Sequence, residues 1–467
     1  MIGEDVLFQS VTQLSDQIRA RKLSPVELTQ AYLDRIQKLS PRLNAFQTVT
    51  ADLALEQART AEKELNANKY RGPLHGIPYG AKDLLATRGI PTSWGAKPCQ
   101  GQMFDADATV IRKLSDAGAV LLGKCAMIEF AGGLGYRYAD SSISGPGRNP
   151  WDTSRWTGGS SSGSGATVAA ALAAFAIGTE TWGSILCPSA FCGITGLRPT
   201  YGRVSRAGAM ACAYTFDKIG PLARSASDLR LVLDAIAGPD PDDPSASNEA
   251  VDLAPGRKNL TKLRGALITQ DYTQKGVEPE ARAAFDHAVA ELRGAGLKLE
   301  DAKWPDYPAS EVAGTLITVE ALSAFEKFYK DGSVSQLRDP YAPYQLEVNE
   351  GVTGADVVKL WRMRLELQQK VADFFASYDY VVTANFLSVA PPIAGDLNQS
   401  LSYVDPAGAI GNGCGLPAIA LPIEHGKLDM PLSMQIMAPP FEEARLIELG
   451  ELWQSRTTFH KRRPPIA

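Results

Sequence analysis

GGSSSGSGATVAAALAAFAIGTETWGSIL, residues 158–186, is the stretch on which the fold turns. Taken alone, the run from Gly158 to Gly165 has the composition of a flexible linker. The next residues argue against that. Thr167 to Ala174 is almost entirely small and apolar, and reads as a helix that must be buried. A glycine–serine loop opening such a helix places backbone N–H groups and hydroxyls at a helix N-terminus, where negative charge is stabilised. Ala176-Ile177-Gly178 then leads into a second loop, Glu180-Thr181-Trp182-Gly183-Ser184-Ile185-Leu186, which holds another serine.

The same alternation extends outward. Thr109 to Ala117 reads as a helix stopped by Gly118, and Ala119-Val120-Leu121-Leu122 as a buried strand. Strand and helix alternate again from Leu263 to Ile268. Such a chain is α/β, with a sheet covered by helices on both faces. Upstream, Ser24-Pro25-Val26-Glu27 offers an N-cap, a proline at the first helical position and a capping-box glutamate. Leu28, Tyr32, Ile36 and Leu39 come next at helical spacing, and Pro41 is expected to close that helix. A second helix is expected from Ala51 to Leu65. Residues 238–260, rich in Pro, Asp and Ser, read as an exposed loop, and 304–375 as helical with proline interruptions near 339–343.

Composition narrows the function. The 467 residues carry a net charge of −5, which gives no electrostatic footprint for nucleic acid. Met1-Ile2-Gly3-Glu4-Asp5 does not begin a signal peptide, and no apolar run reaches the roughly 18–20 residues that cross a bilayer. The six cysteines are scattered without a Cys-x-x-Cys pair, so neither zinc nor a disulfide framework is expected, and the cytoplasm is the default location.

A serine hydroxyl needs a group to take its proton, and a buried neutral lysine can serve. Only four histidines are present, none near Ser160 or Ser184 in sequence, whereas Lys82 lies upstream in Gly76-Ile77-Pro78-Tyr79-Gly80-Ala81-Lys82-Asp83. The expected chemistry is that of a serine hydrolase with a lysine base. A competing reading takes Gly159-Ser160-Ser161-Ser162-Gly163 as a Gly-x-Ser-x-Gly elbow, which makes Ser161 the nucleophile and needs a downstream Asp and one of His287, His425 or His460. Gly118 to Cys125 resembles a phosphate loop, but it has an apolar middle and ends in cysteine where a hydroxyl must reach magnesium.

These motifs together resemble the amidase signature family. The match runs nearly continuously from Gly72 to Arg224, through Gly72-Pro73-Leu74-His75-Gly76-Ile77-Pro78, Lys82-Asp83, Gly158-Gly159-Ser160-Ser161, Gly183-Ser184-Ile185 and Pro188 to Thr200. It returns at Gly415-Leu416-Pro417-Ala418 and Arg462-Arg463-Pro464-Pro465. The resemblance implies one domain with a mixed, largely parallel, twisted central sheet. Within it, residues 1–70 give N-terminal helices, 71–237 the catalytic core, 238–380 a variable substrate-selecting region and 381–467 the return to the core. It further implies Ser184 as nucleophile and Lys82 as base. Ser160 bridges them through a cis peptide, and the backbone N–H groups of Thr181, Trp182, Gly183 and Ser184 form the oxyanion hole. Met127, Gly159 and Leu186 are expected at the substrate pocket. Neither cofactor nor metal is implied, and the partner is a small-molecule substrate, with no nucleic acid or membrane, for a monomer or homodimer.

The chain departs from the family's usual Asp-Thr-Gly-Gly-Ser-Ile-Arg at Glu180, Trp182 and Leu186. In glutaminase subunits of tRNA-dependent amidotransferases that arginine can hold a substrate carboxylate; leucine offers no such fork of donors. A neutral, rather apolar amide, anilide or carbamate is therefore expected, as for aryl acylamidases and urethanases, with esterase side activity. The glutaminase-type component of an amidotransferase is the alternative. One or two of Trp304, Tyr341, Tyr344 and Trp361 are expected at the pocket entrance.

Overall fold

The chain's eleven described strands join in one sheet. They are β1 (Phe46–Val49), β2 (Pro78–Lys82), β3 (Val120–Cys125), β4 (Phe175–Glu180), β5 (Thr195–Arg198), β6 (Lys218–Ala223), β7 (Arg264–Ile268), β8 (Lys298–Ala302), β9 (Tyr380–Phe386), β10 (Ala418–His425) and β11 (Pro431–Met437). The computed structural model describes residues 2–256, 259–269, 276–349, 351–400, 405 and 407–466. The strand order is β1-β3-β2-β4-β6-β5-β10-β11-β9-β7-β8. The sheet is mixed: β2 runs parallel to β3 and β4, and β7 parallel to β8 and β9. The run from β4 through β6, β5, β10 and β11 to β9 is antiparallel, and so is β1 against β3. Strands β2 to β6, β9 and β11 are buried along their whole length.

The parallel pairing of β2 with β4 places the site. Tyr79 stands opposite Phe175 and Ala81 opposite Ile177. Lys82, at the end of one strand, therefore emerges at the same sheet edge as Thr179 and Glu180, at the end of the other. Carboxyl ends of parallel strands are the usual place for a site in α/β proteins.

The glycine–serine run is packed interior rather than linker. The helix it opens spans Ser162–Ala169, all buried, so it starts and ends earlier than the expected 167–174, and the chain turns at Ala171 with φ 52°. Gly163 is needed for close approach: a Cβ there would lie 2.2 Å from the Ala45 carbonyl oxygen and 2.5 Å from the Ala126 nitrogen. Pro41 does not close its helix. That helix runs Pro25–Leu43, capped by the Ser24 hydroxyl and ended by Asn44 in the left-handed region. A proline in the last turn forfeits one hydrogen bond, and the buried Leu39 and Leu43 on either side hold the turn in place. The edge strand β1 lies where only helices were expected. The helices Ala51–Asn66 and Thr109–Asp116 and the strand β7 lie where the patterns placed them.

Residues 238–380 include three long helices, Pro279–Gly294, Ala309–Ala324 and Gly354–Phe375, of which the last two pack on each other. Val312, Ala313 and Leu316 of the first cluster with Ala213 and Phe216 of the core. Among the described residues no helix is long and apolar enough to cross a membrane.

Candidate active site

Lys82 is fully buried at the end of β2. Its Nζ lies 2.7 Å from Ser160 Oγ and 2.9 Å from Thr179 Oγ1. Ser160 Oγ in turn lies 3.0 Å from Ser184 Oγ. The Gly159–Ser160 peptide bond is cis. Ser160 is completely buried and Ser184 nearly so, with 4% of its surface exposed. Burial pulls the Lys82 pKa down to about 7, against the opposing influence of Cys212, Asp217 and Glu180. Near neutrality a large share of the molecules thus carry an amine with a free lone pair at one end of a hydroxyl chain.

The loop bearing Ser184 is held on both sides. Glu180 is completely buried; its Oε2 accepts the N–H groups of Ile185 at 2.9 Å and Leu186 at 3.0 Å, and its Oε1 meets Arg198 Nη1 at 2.8 Å. Burial raises its pKa, but Arg198, Lys218 and the N–H donors outweigh this and hold it below the usual carboxylate range. From the other side the Thr181 hydroxyl donates to Asp217 Oδ1 at 2.5 Å. Gly183, at φ 81°, makes the turn before the nucleophile, a conformation that side chains resist.

Ser184 opens onto a cavity of about 290 Å³. One wall comes from Ala131 to Tyr136, a second from Thr181, Trp182 and Cys212, and a third from Gly314, Ile317 and Thr318 of the helix Ala309–Ala324, with Gln345 beside them. Trp182 both lines the cavity and packs against the cluster around Phe216 and Val312.

Several expectations need correction. Leu186 is 3% exposed and packs in the interior with Ile410, Leu416 and Met437, while Met127 is 2% exposed beneath Gly95; neither is among the residues that line the cavity. Gly159 sits against the cavity wall instead: a Cβ there would meet the Tyr136 hydroxyl at 2.7 Å. Trp304 packs on Phe374, Trp361 stacks beside Arg364, and Tyr341 and Tyr344 are exposed; none lines the cavity. Ser161 is not placed as a nucleophile. Its hydroxyl bonds the N–H and the carbonyl of Thr179, each at 3.2 Å, while His287 and His425 face Glu424 and Asp429.

Sequence reading missed Thr179, Asp217 and Tyr136 and, within the stretch 304–375 that it read as helical, the place of Gly314 at the cavity. Only Tyr136 had a local signal, the glycines of Gly132-Gly133-Leu134-Gly135 before it.

The family model "Amidase" matches residues 27–447. Curated relatives include the A subunit of the glutamyl-tRNA(Gln) amidotransferase of Moorella thermoacetica, 34% identical with 99% of each chain covered. Its counterpart in Hahella chejuensis is 36% identical over 99% of this chain and all of its own. Among solved structures, the peptide amidase of Stenotrophomonas maltophilia superimposes with a TM-score of 0.85 at 31% identity, covering 98% of each chain. A 6-aminohexanoate cyclic dimer hydrolase does so with a TM-score of 0.88 at 26% identity, covering 98% of this chain and 99% of its own. With the family model and full-length relatives in agreement, this chain belongs to the amidase family.

Proposed function

We propose that this protein hydrolyses the C–N bond of a neutral amide, or of a related carbamate, through an acyl-enzyme on Ser184. Neutral Lys82 takes the Ser160 proton, Ser160 takes that of Ser184, and the Ser184 oxygen attacks the carbonyl carbon. The negative charge that develops on the carbonyl oxygen meets the backbone N–H groups of residues 181–184. Removing one such donor commonly raises the barrier by about 3–4 kcal/mol. On collapse the relay returns the proton to the departing nitrogen, and water then releases the acid by the same path. The observation that carries the reading is the dry lysine 2.7 Å from one serine, itself 3.0 Å from a second serine at a cavity wall.

The neutral substrate rests on the cavity lining, which among the described residues contains no cationic side chain to pair with a carboxylate. Leu186, being in the interior, does not contribute to that argument. A second reading has independent support. The curated relatives are A subunits of an amidotransferase, so by similarity alone a glutaminase role within a multi-subunit enzyme stands ahead. An assay panel separates the two: an aryl amide, an aryl carbamate, a C-terminal peptide amide and glutamine, with and without amidotransferase partner subunits. Turnover of a neutral amide or carbamate by the isolated chain is expected; turnover of glutamine alone, rising with partner subunits, overturns the first reading in favour of the second.

A further inference from the structure

We propose that Asp217 is a positioning residue of this site: its carboxylate ties the nucleophile loop to the cavity wall, and its negative charge sets how readily Lys82 gives up a proton. This rests on Lys82 being the base.

Asp217 precedes β6 and is buried. Its Oδ1 accepts the Thr181 hydroxyl at 2.5 Å, and its Oδ2 accepts the backbone N–H groups of Cys212 at 2.8 Å and Ala213 at 3.1 Å. Thr181 begins the loop that ends at Ser184. Thr181 and Cys212 both line the substrate cavity, and with Asp217 they also line a smaller, mostly apolar cavity of about 90 Å³ behind it. One carboxylate thus ties the Thr181 side chain to the backbone of Cys212 and Ala213, reinforcing the β4–β6 pairing of Glu180 with Lys218 and the bond from Lys218 Nζ to the Thr181 carbonyl at 3.4 Å.

The titratable groups around Lys82 are Glu180 of β4, Cys212 of the adjoining loop, Asp217 and Lys218 at the start of β6, and Asp83, its chain neighbour. Asp83 lies 3.5 Å from Lys124 of β3. Burial drives the Lys82 pKa down, and Cys212, Asp217 and Glu180 oppose it in that order. Burial raises the Cys212 thiol far above its usual range, so it carries no charge in the working range. Glu180 is matched by Arg198. Burial and the Arg198 charge push the Lys218 pKa well below its ordinary value, and its Nζ bonds the Thr181 carbonyl at 3.4 Å. Arg206 is matched by Asp243, 3.7 Å away. Asp217 has only uncharged hydrogen-bond donors, and its carboxylate is one of the groups that oppose burial at Lys82. Burial raises its own pKa, while the Thr181 hydroxyl, the two N–H groups and the more distant Arg206 pull the other way.

Two substitutions separate the functions. In Asp217→Asn the amide oxygen can accept the two N–H groups while its NH2 donates to Thr181, so the tie persists and the charge is lost. Thr181→Val removes the tie and keeps the charge; Thr181→Ser restores the hydroxyl. The readout is the rate at which an alkyl fluorophosphonate labels Ser184, followed by mass spectrometry from about pH 5 to pH 10. In Asp217→Asn the acid limb is expected to move down by about half a pH unit or more. Thr181→Val should label about tenfold more slowly with an unmoved limb, and Thr181→Ser near the wild-type rate. An Asp217→Asn limb at the wild-type position, or wild-type labelling by Thr181→Val, overturns the proposal; the second test stands even if Asp217→Asn does not fold. Lys82→Met decides the underlying reading separately. If it labels at the wild-type rate, the lysine base itself falls; if it is inert while the Asp217→Asn limb stays put, only the present proposal falls.

Discussion

Lys82 keeps its amine where an ammonium is costly, and two measurable consequences result. With its pKa lowered to about 7, kcat/KM is expected to rise as pH passes through about 7 and then level off; a profile flat from about pH 5 to pH 10 contradicts the relay. The second consequence concerns stability. Between about pH 7 and the ordinary lysine value of 10.5 the unfolded chain binds a proton at this position that the folded chain does not, so stability rises with pH across that window. The penalty is fully felt below about pH 7 and absent above 10.5. Lys82→Met keeps the length and removes the penalty. It should lose roughly 1000-fold or more in activity, yet melt about 2 °C or more above the wild type at pH 7, with the gain shrinking towards pH 10. Calorimetry at both pH values checks the sign. Lys82, Ser160 and Ser184 could be named from sequence because each sits in a local motif. Thr179 and Asp217 could not, because what gives them a role is apposition across the sheet and its loops.

At the scale of elements, the segment from β4 through the Ser184 loop into the helix Leu186–Cys192 depends on Glu180. That carboxylate holds the first N–H groups at the helix start, and Arg198 of β5 balances its charge from a neighbouring part of the sheet. Arg198→Met leaves Glu180 buried without its cation and is expected to destabilise the fold by about 3–5 kcal/mol, read as a lowered denaturant midpoint. The helix Ser162–Ala169 makes the opposite demand, for absence of side chain. Gly163→Ala forces a methyl group into the backbone at Ala45 and Ala126, and a loss of about 1–3 kcal/mol is expected in the same measurement. Periodicity found the amphipathic helices because their pattern records which face is covered. It misplaced the bounds of the glycine-rich helix because that helix is buried all round and carries no stripe to read.

For the molecule as a whole, the cavity is shared between parts far apart in sequence: the loop 131–136, the segment around Ser184, Cys212 and the helix Ala309–Ala324. The last of these brings the region 238–380 to the cavity wall, and Gly314 offers a clean test of whether that region takes part in substrate choice. A Cβ there meets open space. Gly314→Leu should therefore strengthen the helix, by about 0.5–1 kcal/mol, while narrowing the cavity. Bulky amides are expected to lose roughly tenfold in kcat/KM through KM, with Ser184 labelling by a small fluorophosphonate little changed. Equal losses for large and small reagents would show instead that the change disturbs the relay. The α/β class, the family and the serine and lysine motifs were all present in the linear order of residues, because each depends on local pattern: apolar periodicity, glycine placement and a short chemical signature. Which residues border the cavity was decided by the tertiary structure alone. Leu186 and Met127 turn inward, while Tyr136, Cys212 and Gly314 reach the cavity, because the direction of a side chain is set by strand register and helix packing between segments that do not meet until the chain has folded.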